Sequence, residues 1–232
     1  MTGIRNGQAA AAIVLCLIAV GLAVPAAGQT APDVRTWTAV SVQGRVATDS
    51  PWRWTSDSLV RARDGAGTLD FLAERVMVTR DVSRRSSVGV GYAYGEGFPD
   101  AGSLREHRFV QQYAWSGGGV SRRLSFKTRV EERFVTGQDA MLLRVRQQVR
   151  TTWPLLPRQR LRGVASEELF VRANSTKLTP RGFDSNRVFV GVARPLTPRS
   201  SVEIGYLNVL WRSAPGDYRR SHVMSATLAV GL

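Results

Sequence analysis

The feature that most constrains this chain is an alternation of apolar and polar side chains with a period of two. It recurs in segments of roughly ten to fourteen residues from Arg35 to the C-terminus. An extended strand turns successive side chains to opposite faces, so each segment predicts a strand with one apolar and one polar face. Residues 121–134 carry the pattern most clearly. Leu124, Phe126, Thr128 and Val130 fall on one face, and Ser125, Lys127, Arg129, Glu131 and Arg133 on the other. The next segment sets Met141, Leu143, Val145 and Val149 against Arg144, Arg146, Gln148 and Arg150. Another sets Val88, Val90, Tyr92 and Tyr94 against Ser87, Gly89, Gly91 and Ala93, and the last puts Met224, Ala226, Leu228, Val230 and Leu232 on one face. Strands are expected near 35–46, 52–62, 69–80, 86–95, 104–115, 121–134, 140–152, 159–172, 185–194, 200–212 and 219–231.

A soluble β-sandwich also alternates, but three features favour an all-β, transmembrane, antiparallel up-and-down β-barrel of about 10–12 strands. Arginines stand in file along whole strands. The connections alternate in length: Arg80 to Arg85, Trp153 to Arg158 and Pro195 to Arg199 are short, whereas Glu96 to Ser103 and Ala173 to Asp184 are longer. Trp52, Trp54, Trp115, Trp153 and Trp211 lie near strand ends, as an interfacial girdle requires. Single-chain bacterial barrels have even strand numbers, so ten or twelve strands are expected rather than the eleven segments counted. Gln111 and Glu167 resist the pattern, because their positions put them on the apolar face.

The first residues predict export. A short n-region with Arg5 precedes an apolar stretch from about Ala9 to Val24, and Pro25-Ala26-Ala27-Gly28 follows. This is the layout of a cleavable signal peptide over residues 1–28, leaving a single barrel domain over residues 29–232. Cys16, the one cysteine, lies inside the apolar stretch after Leu15, which does not suit lipidation. The mature chain then has no thiol for a disulfide, a metal or a nucleophile. The formal net charge is +14, and loss of Arg5 leaves +13. Lys127 and Lys177 are the only lysines, and the arginines are spread along the chain rather than clustered. For an exported protein this charge suits anionic lipopolysaccharide or a small anionic solute better than nucleic acid. Localisation in the outer membrane is expected, with outer-membrane lipids and the assembly machinery of that membrane as partners.

Several short motifs then follow one another in order. Gly91-Tyr92 precedes Glu106-His107-Arg108-Phe109-Val110-Gln111-Gln112, and Arg129-Val130-Glu131-Glu132-Arg133 comes next. Glu168-Leu169-Phe170, Phe183-Asp184-Ser185-Asn186-Arg187, Gly205-Tyr206-Leu207-Asn208 and His222 complete the series. From about Trp37 to the C-terminus the chain resembles the DUF2490 family, read as outer-membrane proteins without an assigned function. The resemblance implies the same barrel and no particular activity.

Charged side chains inside a membrane span must face water or one another. The strand register turns Glu106, Arg108, Arg129, Glu131, Arg133, Arg144, Arg146, Glu168, Arg187 and Glu203 inward, as a lumen charge network of Arg–carboxylate pairs. The first reading is a structural plug; the alternative is an arginine-lined, anion-preferring pore. A lipid hydrolase would need Ser, His and an acid, but only His107 and His222 are available. Ser221 adjoins His222 and so faces the opposite side, while Ser225 or Ser166 could approach a histidine only from distant strands. No enzymatic role, cofactor or metal site is expected, since no His/Asp/Glu spacing suits a metal. Gly89-Val90-Gly91 lies inside a strand rather than before a helix, and Asn174-Ser175-Thr176 reads as loop.

Overall fold

A computed structural model describes residues 33–100, 102–118, 123–214 and 216–232. The signal-peptide expectation for residues 1–28 lies outside the described residues. Eleven strands follow one another: β1 (Asp33–Arg45), β2 (Trp52–Arg63), β3 (Thr68–Asp81), β4 (Ser86–Gly97), β5 (Leu104–Gly118) and β6 (Arg123–Val135), then β7 (Leu142–Leu156), β8 (Leu161–Arg172), β9 (Gly182–Pro195), β10 (Ser200–Ala214) and β11 (Asp217–Gly231). Each pairs with its neighbours in sequence, and β11 returns to β1 to close the barrel.

Every expected strand is present, but the expected even count is not. With eleven strands β1 and β11 run the same way, and they pair in parallel from Asp33↔Ser221 to Gln43↔Gly231. All other neighbours are antiparallel. The alternation itself counts eleven segments; the even number rested on the habit of single-chain bacterial barrels, from which this chain departs. One rim therefore carries the start of β1 and the connections 98–103, 136–141 and 173–181. The other carries the end of β11 and the connections 82–85, 157–160 and 196–199. We call these the N-terminal and C-terminal rims.

The alternating pattern sorts the side chains as expected. On β4, Val90 is 63% exposed and Ala93 is 5% exposed. Phe109, Tyr113, Ile204 and Met224 also point outward and are exposed. Trp52, Trp54, Trp115 and Trp153 share the outward parity and cluster toward the C-terminal rim. Trp54 and Trp153 lie directly across from Gly44 and Gly163, whose missing side chains leave room for the indoles. Trp211 corrects the girdle expectation. It shares the inward parity of Leu207 and Val209 and packs against the interior cluster.

That cluster joins Trp37, Val164, Phe189, Leu207, Val209 and Val223, so β1 and β8–β11 supply an apolar inner wall. The ring of Phe189 lies over Gly191 and Gly205, which face each other across β9 and β10. A Cβ at Gly205 would stand 2.4 Å from the Val190 carbonyl oxygen and 2.7 Å from Phe189 Cζ. Gly205→Val should therefore lower refolding stability by about 1–3 kcal/mol, the usual cost of overpacking. Urea unfolding followed by tryptophan fluorescence would measure it, and an unchanged midpoint would contradict this packing.

Candidate functional site

Opposite the apolar wall, β5–β9 turn a row of charges into the barrel. Their alternation makes this inevitable: once Val130 and Val145 face out, Arg129, Glu131, Arg144 and Arg146 must face in. Glu131 is the centre of the cluster at 1% exposure. Arg144 Nη2 donates to its Oε2 at 2.5 Å, and Arg146 Nη1 donates to its Oε1 at 2.6 Å. Arg146 also reaches Glu168, Nη2 to Oε1 at 2.8 Å, and Arg187 Nη1 stands 3.9 Å from the other oxygen of Glu168. Toward the N-terminal rim, Glu106 accepts from Arg108 at 2.5 Å and from Arg133. Toward the C-terminal rim, Arg150 pairs with Glu203 across two intervening strands.

All ten residues expected to face inward do so, and nine of them are joined in ion pairs. Arg129 is the exception. Its Nε donates to Gln112 Oε1 at 2.8 Å, and no carboxylate among the described residues lies within ion-pair distance of it.

Several members were not foreseen. Asp184 binds Arg144 at 3.1 Å and Arg172 at 2.6 Å, and lies 4.0 Å from Arg133. Strict alternation from Arg187 would turn Asp184 outward. The β8–β9 register slips between Phe170 and Val171, leaving Asp184 as the extra residue, and the bulge turns its carboxylate inward. Asp70 repeats the device. It is the extra residue where β3 slips against Arg61 and Ala62, and it accepts from Arg35 Nη1 at 2.8 Å. Nothing in the local sequence of either aspartate marks a bulge.

Aromatic rings tie the charges to the apolar wall. The Arg187 guanidinium lies over Phe170 and Trp37, at 4.4 and 5.0 Å from their centroids. Arg61 lies over the same Trp37 at 4.0 Å and over Phe71 at 4.7 Å. Phe170 is 0% exposed and also receives Arg146 at 4.5 Å. These stacks carry guanidinium groups across the interior onto the rings of Trp37, Phe71 and Phe170.

The outward polar residues are partnered as well. Gln111 and Glu167 do face outward, without a bulge to re-aim them. Gln111 Nε2 donates to Glu132 Oε1 at 3.0 Å, and Asn186 Nδ2 donates to Glu167 Oε1 at 2.8 Å. His107 Nδ1 lies 2.5 Å from Tyr92 Oη, and His222 Nδ1 lies 2.5 Å from Tyr206 Oη. Each histidine thus meets a tyrosine on the neighbouring strand, not a serine. Among the described residues, no three His, Cys, Asp or Glu side chains gather as a metal ion requires. Asn174 is in a loop, as expected. Its side chain binds the backbone of Met141 and Leu143 and ties the 173–181 connection to the 136–141 connection.

A closed eleven-stranded β-barrel is the class that this geometry defines. The model of DUF2490, a protein family of unknown function, matches residues 34–220, and the chain belongs to that family. It is also 31% identical to an uncharacterized protein of Methylorubrum extorquens over 221 residues, covering 93% of this chain and 94% of the relative.

Removing one partner from a buried ion cluster leaves the others uncompensated, which costs about 3–5 kcal/mol. Glu131→Gln, between two arginines, should show a loss of that size in a refolding titration. Arg129→Gln should cost much less, because its partner is a neutral amide. Equal losses would mean that Arg129 belongs to the cluster after all.

Proposed function

We propose that the mature chain is an outer-membrane β-barrel of a Gram-negative bacterium, exported by a cleaved signal peptide and closed at mid-height by its own ion cluster. The supporting observation is the opposed character of the two faces. The outer wall exposes a band of Val, Ile, Phe, Tyr and Met with tryptophans toward one rim. Inside, Glu131, Val164, Phe170 and Val223 are sealed from solvent. A soluble protein exposing so continuous an apolar band would aggregate, whereas hydrocarbon accommodates it. Burying so many charges is tolerable where most are paired, and here ion pairs join nine of the ten inward charges. Outer-membrane lipids, including lipopolysaccharide, and the barrel-assembly machinery are then the expected partners, and no nucleic acid is. We read it as a membrane barrel without an enzymatic step of its own; what supports this is that each histidine meets a tyrosine on the outer face rather than a serine.

The other reading, an anion-preferring pore, draws on the excess of arginine toward the C-terminal rim. A path through the barrel would have to part Arg146 from both Glu131 and Glu168.

Four measurements test the proposal. The protein should fractionate with the outer membrane and migrate faster on a gel when unheated, and Val90→Arg should cost about 2–4 kcal/mol of refolding stability if Val90 sits near mid-membrane. Recovery in the soluble fraction, or a neutral Val90→Arg, would remove the membrane assignment. In a planar bilayer the purified protein should pass no steady current; stable anion-selective steps would replace the closed barrel by the pore.

A further inference from the structure

The interior is not filled evenly. Between the ion cluster and the C-terminal rim, the inward faces of β1–β6 leave a cavity of about 270 Å³. A wider vestibule of about 800 Å³ shares Arg53, Ser87, Ala114 and Lys127 with it and runs on to Arg45, Arg84 and Arg85 at the rim. The cavity thus has a mouth at one end, and its deep end meets the sealed cluster around Glu131.

Its charges are unbalanced. Arg53 is paired with Asp81, and Arg75 holds Asp57 through Nη2 at 2.6 Å and Nε at 3.0 Å. Lys127 and Arg129 project from the same face of β6, two residues apart, and both line the cavity. Neither has a carboxylate within ion-pair distance among the described residues. Arg129 is 7% exposed, and its one hydrogen bond to protein uses Nε. Its two terminal amino groups are left to the cavity. Lys127 stands in the neck between cavity and vestibule, with no hydrogen bond to protein among the described residues. Two neighbouring cations without counter-charges repel each other, and enclosure weakens the screening that water supplies. Most other arginines of this interior meet an acid from the chain, and Arg61 instead stacks on Trp37 and Phe71; here the one acid of the lining, Asp57, is held by Arg75. The hydroxyls of Thr55 and Ser87 line the same space and can donate to an oxyanion.

From this imbalance we infer that the cavity is a binding site for a small dianionic solute, a phosphate or a dicarboxylate, entering from the C-terminal rim. Arg129 offers its planar fork to one oxyanion group at the floor. Lys127 supplies a point charge at the neck, where it meets the second charge of the solute. The volume admits a molecule of that size and excludes a nucleotide or a lipid. This reading builds on the closed barrel only in having its entrance at one end.

Titration calorimetry on the full mature barrel, refolded in detergent, tests it with inorganic phosphate and succinate as probes and chloride at matched ionic strength as control. Saturable binding of at least one dianion is expected, with none for chloride. Lys127→Gln and Arg129→Gln should each weaken it by about tenfold or more. Arg219→Gln, at the opposite rim, should leave it unchanged. Lys127 takes no part in the ion cluster, so its variant should fold normally and keeps the test decisive even if Arg129→Gln does not refold. Absence of saturable binding by both probes, or a change under about twofold in Lys127→Gln, overturns the site. Failure of the closed-barrel reading would be seen as current in a bilayer, whereas failure of the site would be seen as absent heat.

Discussion

Closure of the hydrogen-bonded ladder is the constraint from which the rest of this structure follows. A sheet of eleven long strands left open would present two unpaired edges, and edges recruit other chains. Pairing β1 with β11 removes both. Once the ladder closes, every side chain on a strand must face either in or out. Most apolar residues of each strand go out together, and the charged ones are gathered inside beside a small apolar wall.

That space is divided. One inner wall is a small hydrophobic core built on Trp37, Val164 and Phe189; the facing wall is a set of arginines and acids. The two would be poor neighbours without the rings of Trp37 and Phe170, which accept guanidinium groups on their faces and carry apolar contacts at their edges. Arginine suits this role where lysine does not, because its flat, weakly hydrated head can stack and pair at once. The near absence of lysine from the chain fits such an interior, and Lys127 stands at the cavity neck rather than among the stacks.

The interior also changes along the barrel axis. At mid-height Glu131 is enclosed by two guanidinium groups. Toward the C-terminal rim Arg150 and Arg53 keep their acids, but among the described residues Lys127 and Arg129 have none within ion-pair distance and space opens beside them. One strand, β6, serves both regions: Glu131 sits within the ion pairs, while Arg129 and Lys127, two and four residues earlier, line the cavity.

How much of this was written in the residues follows from what a period of two can encode. The existence of all eleven strands, the inward turn of Glu106, Arg146 and Glu168, and the outward turn of Val88 and Tyr92 depend only on local alternation, and the sequence by itself determined them. It also held the odd count, since eleven segments alternate; the expectation of an even number came from the habit of bacterial barrels and not from the residues. It did not reveal that Asp70 and Asp184 point inward, because each depends on a slip between two strands that only their pairing creates. It placed Trp211 with the rim tryptophans because the residue lies near a strand end, but its facing follows the interior parity of β10. It made Arg129 a natural mate for Glu131, its neighbour on the same face. The tertiary structure gave Glu131 to Arg144 and Arg146 instead and left Arg129 with Gln112. The physical reason is common to all of these. Alternation assigns a side chain to a face, but which partner it meets there depends on register, bulges and curvature, and those are properties of the closed sheet rather than of any strand within it.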